Sequence, residues 1–240
     1  MRASQMHYLP LSPTIYFLLV ALFVMLVVLI QVRVLRYTFE RLGLSPPVAL
    51  LLLLGSLLGS AINIPIAELP GQPIVSGREI NYFGMRYVIP TVVNWPGTVI
   101  AINVGGALIP GVTSFYLLAK QSLWGSGLVG IGCVAAVCYW LAEPVSGIGI
   151  ALPVFAPSLA AAVVSLILSR QHAAPLAYIS GSLGTLLGAD LLNLGKIQGI
   201  GAPVASIGGA GTFDGVFLAG VMAVLIASLW PGASARPSHA

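Results

Sequence analysis

The chain has 240 residues, of which 58% are hydrophobic and 7% charged, whereas an ordinary soluble domain carries roughly a quarter charged residues. Ten basic and six acidic side chains cannot coat a globule of this size, and a mean hydropathy of +1.01 turns most of the apolar surface toward something other than water. Such a composition excludes an ordinary soluble protein. With no amphipathic basic helix or aromatic-basic platform it also excludes a nucleic-acid partner, so the net charge of +4 is read as membrane topology.

At about 20 apolar residues per crossing, the sequence predicts an all-α membrane protein, one polytopic domain over 1–240 with about seven transmembrane helices. The first, near 15–32, is followed at once by Arg33, Arg36 and Arg41. A signal peptide has its charge before the apolar core and a small-residue cleavage site after it, so this segment is expected to persist as a helix. Pro46 and Pro47 suit the first turn of a second span near 47–64. Residues 67–94 are the most polar part of the chain, with Glu68, Arg78, Glu79 and Arg86 among Tyr82, Phe83 and Tyr87. The β-rich pieces 72–75 and 81–89 predict a short hairpin between spans two and three, lying on the membrane surface.

Further spans are expected near 98–119, 123–142, 147–168, 175–194 and 211–230, with Gly and Pro tolerated where neighbouring helices satisfy the freed backbone. Cys133 and Cys138, five apart in one apolar stretch, read as small buried hydrophobes. The layout puts Arg33, Arg36, Arg41, Lys120, Arg170 and Arg236 inside and Arg2, Arg78, Arg86 and Lys196 outside. That bias predicts a multi-pass protein of the cytoplasmic membrane with an extracytoplasmic N-terminus.

An ionisable group inside a span costs about 2.5–3.5 kcal/mol and is a functional candidate by default. Asp190 and Asp214 fall near the facing ends of consecutive antiparallel spans, each about one turn below the same membrane face. Two carboxylates brought together there can share a proton, activate water or hold a cation. Asp214 can also serve its helix N-terminus, whereas Asp190, near a C-terminus, needs a partner such as Lys196, Asn193 or an ion. Asn63, Asn103, before Gly105 and Gly106, and Glu143 map to the same depth as a polar cavity, in which Asn103 and Glu143, together with Asn193, are candidate ion or substrate ligands. The glycine-dense connection 195–211 reads as a re-entrant segment in which Gly208, Gly209 and Gly211 can form an anion nest. His172 lies at the opposite face from Asp190, which argues against a Ser–His dyad or an HExxH zinc site.

The stretches ISGSLGTLLGADLLNLGKI and SIGGAGTFDGVFLAG, with INVGGALIP at 102–110, resemble a family of uncharacterised prokaryotic multi-pass membrane proteins. The resemblance covers most of the chain after Pro65 and implies Asp190 and Asp214 in signature segments. A looser similarity is to intramembrane aspartyl proteases of the presenilin and prepilin-peptidase kind, with one catalytic Asp on each of two consecutive helices. Here Thr212 and Phe213 separate Gly211 from Asp214, so the GxGD pattern of those enzymes is absent, as is a following PAL.

Three activities stay open. The first is a proton- or cation-coupled transporter or permeation protein. The second is a di-aspartyl hydrolase with Asp190 and Asp214 catalytic. The third is a Mg-dependent enzyme on lipid phosphates, with Asp190, Asn193 and Asp214 on the metal. An accessory subunit is the remaining reading. The expected partners are the lipid bilayer and a membrane peptide, an ion or a lipid; no cofactor is expected.

Overall fold

The computed structural model describes residues 33, 37–38, 40–71, 73–82, 85–94, 97–145, 149–153, 155–197, 202–209 and 215–229. The expected span near 15–32 lies outside them. Helix α1, Pro46–Gly59, starts on prolines whose missing N–H costs nothing in a first turn. It stops at the β-branched, proline-interrupted run INIPI, which becomes strand β1, Asn63–Pro70. Strands β2, Pro73–Tyr82, and β3, Met85–Asn94, form a separate antiparallel hairpin of ten residues a side.

Strand β4, Gly97–Asn103, pairs antiparallel with β1 from Asn63 opposite Asn103 to Pro70 opposite Gly97. Beyond Asn103 the backbone turns directly into a π-helix, Val104–Leu108, and continues as α2, Ile109–Lys120. Helix α3 is Trp124–Leu141, followed by the small hairpin β5, Glu143–Val145, and β6, Gly149–Ala151. Helix α4, Ala156–Leu168, leads to α5, Ala173–Thr185. From α5 the helical path runs on through a second π-helix, Leu186–Asp190, a 3-10 turn, Leu191–Asn193, and the short α6, Leu194–Ile197. Strand β7, Val204–Ile207, then pairs parallel with β4, completing a sheet of order β1-β4-β7, and α7, Gly215–Ser228, follows.

Helix α5 is the axis of the molecule. All its residues but Leu183 are buried, and α2, α3, α4 and α7 pack around it. One core gathers Leu117, Leu118, Leu176, Tyr178, Ile179 and Val224; a second is alanine-rich, with Val134, Cys138, Ala161, Ala162, Ala177 and Ala223. A third, smaller cluster of Ile100, Ala107 and Ile207, backed by Leu186 and Leu194, joins the sheet to the second π-helix. Outward faces stay apolar: Leu51, Leu58, Leu128, Trp140, Leu159 and Ile167 are all exposed.

The seven-span, all-α expectation is corrected by this architecture. Among the described residues seven strands make three sheets, and one helix, Trp124–Leu141, is long and apolar enough to cross a membrane. The stretch expected as span two is a helix to Gly59 and then a strand, and that expected as span three begins as β4. The span expected near 147–168 shortens to α4 behind β6. A buried strand flanked on both sides is a continuous apolar run, and in Thr98, Val99, Ile100 and Ile102 the β-branched content, not the hydropathy, marks it.

Candidate functional site

The polar side chains collect where strands and helices exchange backbone geometry. Asn103 is buried at the end of β4, and its amide serves three groups. Its Oδ1 accepts from the Gly106 N–H at 2.9 Å, capping the first π-helix. Its Nδ2 donates to the Ser60 carbonyl at 2.8 Å and to Asn63 Oδ1 at 3.0 Å. Asn63 Oδ1 also accepts from Ser206 Oγ at 2.6 Å, so one amide oxygen ties together β1, β4 and β7. On the other side of the first π-helix, Ser56 Oγ of α1 donates to the Gly105 carbonyl at 2.5 Å. Carbonyls left unpaired by the wider π-helical spacing need such donors when buried.

Gly208 links this network to the central helix. It sits just past β7 with φ +80, and a Cβ there would lie 2.6 Å from the Ala107 amide nitrogen, so both conformation and space require glycine. Its N–H donates to Asp190 Oδ2 at 2.6 Å. The next amide, Gly209 N–H, turns back to the Ser206 carbonyl at 3.1 Å. Of the expected nest, the Gly208 amide alone among the described glycines meets the Asp190 carboxyl; Gly211 lies outside the described residues.

Asp190 is half-buried and ends the second π-helix. That π-helix approaches α3 closely, for a Cβ on Gly188 would meet the backbone of Ala135. Asn193, fully buried, folds back so that its Nδ2 donates to the Gly188 carbonyl at 2.8 Å and the Ala189 carbonyl at 3.1 Å. Its Oδ1 is buried without a hydrogen-bond partner among the described residues. An unpaired buried acceptor costs about 1–3 kcal/mol, a cost that a bound cation or proton donor would offset. One turn up, Cys138 of α3 donates its thiol to Thr185 Oγ1 at 3.8 Å, and Thr185 donates onward to the Gly181 carbonyl at 2.6 Å.

Of the residues singled out from sequence, Asp190 and Gly208 are in direct contact. Asn103 donates to Asn63, which also accepts from Ser206, Gly209 donates to the Ser206 carbonyl, and Asn193 supports the π-helix that Asp190 ends. Glu143 stands apart, exposed at the start of β5 opposite Ala151. Asp214 and Gly211 lie outside the described residues, and with them the expected carboxylate pair. Sequence reasoning missed Ser56 and the Thr185–Cys138 pair. Ser56 is legible only as a lone hydroxyl in a leucine-rich helix, and Thr185 only as one of the small residues that let helices approach.

Among the described residues no group of three or more His, Cys, Asp or Glu side chains comes together to hold a metal ion. A family model described as "Protein of unknown function (DUF1614)" matches residues 57–226, from the end of α1 into α7 and across every site residue above except Ser56. No curated protein and no solved structure matches the chain.

Proposed function

We propose that this chain, which belongs to the DUF1614 family, is a multi-pass membrane protein that moves protons or cations, with Asp190 as the group that takes them up and releases them. The observation that carries the reading is where Asp190 sits. An ionisable side chain closes a π-helical break that continues the most buried of the described helices and accepts a hydrogen bond from the backbone of a glycine turn. Membrane transport sites are commonly built at such discontinuities, where freed backbone groups and one carboxylate face each other at the same depth.

Membrane residence is supported by the surface. Helix α3 spans about 27 Å at 1.5 Å per residue, close to the hydrocarbon thickness of about 30 Å. Each end carries an aromatic–cation pair of the kind found at headgroup level. Lys120 lies 5.4 Å from the Tyr116 ring near Trp124 at one end, and Lys196 lies 4.6 Å from the Tyr139 ring near Trp140 at the other. Lys120 Nζ also donates to the Gly43 carbonyl at 3.3 Å, which brings Arg41 to the α2–α3 end, and Arg170 precedes α5 on that side. This bias makes the α2–α3 end cytoplasmic and the Asp190 end extracytoplasmic.

Reconstitution into liposomes with a trapped pH-sensitive dye tests the reading. The protein is expected to speed the internal pH change that follows an imposed Na⁺ or proton gradient. Asp190→Asn is expected to cut that acceleration at least tenfold while the helical circular dichroism stays unchanged. Equal rates for the native and Asp190→Asn proteins would overturn the proposal.

A further inference from the structure

Strands β2 and β3 pair in an unbroken antiparallel register from Pro73 opposite Asn94 to Tyr82 opposite Met85. Ten residues a side, at about 3.3 Å each, make an arm about 33 Å long. Among the described residues this arm packs extensively on no other element. A lone two-stranded hairpin is marginally stable at best in water, so it needs either a third strand along an edge or a surface against one face. The edges are guarded. Arg78 and Glu79 stand side by side in the middle of β2, and β3 carries Arg86 and Pro90, whose nitrogen cannot donate to a further strand.

The two faces differ. Residues opposite one another in an antiparallel pair share a face, and faces alternate along each strand. In the distal half one face therefore collects Ile80 with Tyr87, Tyr82 with Met85, and Arg78 with Ile89, whereas the other collects Glu79 with Val88 and Asn81 with Arg86. Nearer the root the contrast fades, with Val75 opposite Val92 on the second face. Tyrosine, methionine and isoleucine around a single arginine is headgroup-level chemistry: rings and aliphatic chains suit the apolar side of the interface, and a guanidinium suits lipid phosphates. The apolar exterior leads there as well. Leu51, Leu54 and Leu58 of α1, then Ile62 before β1 and Ile64 and Ile66 within it, are exposed in succession along the chain that feeds the hairpin. We infer that the β2–β3 arm lies along the bilayer surface, with the face of Ile80, Tyr82 and Tyr87 in the headgroup layer and the face of Glu79 and Asn81 toward water. This goes beyond the transport reading and rests on it for the bilayer alone.

Fluorescence quenching in liposomes that contain phosphatidylglycerol tests the orientation. With both native cysteines replaced by serine, Tyr87→Cys, Val88→Cys and, on the exposed side of α3, Leu128→Cys are each labelled in detergent with a nitrobenzoxadiazole maleimide, and the full chain is reconstituted. Nitroxide lipids are expected to quench the Tyr87→Cys probe at least twofold more than the Val88→Cys probe, and a headgroup nitroxide more than one deep in the acyl chains. Aqueous iodide should reverse that order. Ile80→Cys and Glu79→Cys, the cross-strand partners, should repeat the contrast, so the result does not hang on one variant. Equal or reversed quenching within both pairs overturns the inference. So does a Tyr87→Cys probe shielded from nitroxide lipid and iodide alike, because a protein then covers that face. The Leu128→Cys probe reports on the bilayer itself. If deep nitroxides quench it while the hairpin pairs show no contrast, the arm's orientation falls and membrane residence stands; if lipid quenches no probe, both fall.

Discussion

Asn103 shows how much one side chain can hold. A capping acceptor and two donors on one amide fix the end of β4, the first turn of a π-helix and the end of α1 at the same point. With each bond worth about 0.5–1.5 kcal/mol net, Asn103→Leu should lower stability by about 2–4 kcal/mol. Asn103→Asp keeps the acceptor for Gly106 but sets a buried carboxylate oxygen against the Ser60 carbonyl and Asn63 Oδ1, so it should cost at least as much as the leucine. Chemical unfolding of both variants in micelles checks the order; a markedly smaller loss in Asn103→Asp would mean that the two donated bonds contribute little. The sequence marks Asn103 as a polar residue before two glycines. Depth along the expected spans groups it with Asn63, 40 positions before it, but does not reveal Ser206, 103 positions after it, which only the β1-β4-β7 pairing brings near.

Among the elements, the helices around α5 were legible and their interruptions were not. Helix α3 falls within one residue of its expected limits, since a long apolar run bounded by a turn and a Glu-Pro step has few other readings. Strand β4 was invisible to hydropathy because a strand buried under neighbours is as uniformly apolar as a membrane helix. Neither π-helix has a local signature. Each exists because of what it touches, the first through Ser56 and Asn103, the second through Gly188 against Ala135 and Asn193 against two freed carbonyls. The contact is testable at Gly188. A methyl group there meets backbone atoms that cannot rotate away, so Gly188→Ala should destabilise by about 3 kcal/mol and weaken any function that needs Asp190. Gly132→Ala, on α3 with open space around it, should be neutral or stabilising by up to about 1 kcal/mol. Thermal melts of the pair separate packing from helix propensity; similar midpoints would dismiss the close approach.

For the whole molecule the question is what covers its apolar exterior. A water-soluble bundle turns charged residues outward, yet here α1, α2, α3 and α4 present Leu51, Phe115, Val129 and Ile167 to the outside, while of the two helical cores one is leucine-rich and the other alanine-rich. Where α3, α4, α5 and α7 meet, small residues let the backbones approach closely, as in helices associating in lipid. Cys133 offers a direct reading. Unlike Cys138, it is not the buried hydrophobe expected from sequence but is exposed on α3, nine residues or about 14 Å from Trp124 and eight from Leu141, and therefore near the middle of the proposed crossing. Only a hydrated thiolate reacts with a maleimide. In sealed proteoliposomes an impermeant maleimide is expected to leave Cys133 more than nine-tenths unmodified, and after denaturation in detergent two thiols per chain should react. Cys138 is buried in the folded protein, so the signal before denaturation reports on Cys133 alone. Labelling of the intact vesicles at the rate of a free thiol would place the middle of α3 in water, and the bilayer would then have no part in holding this fold.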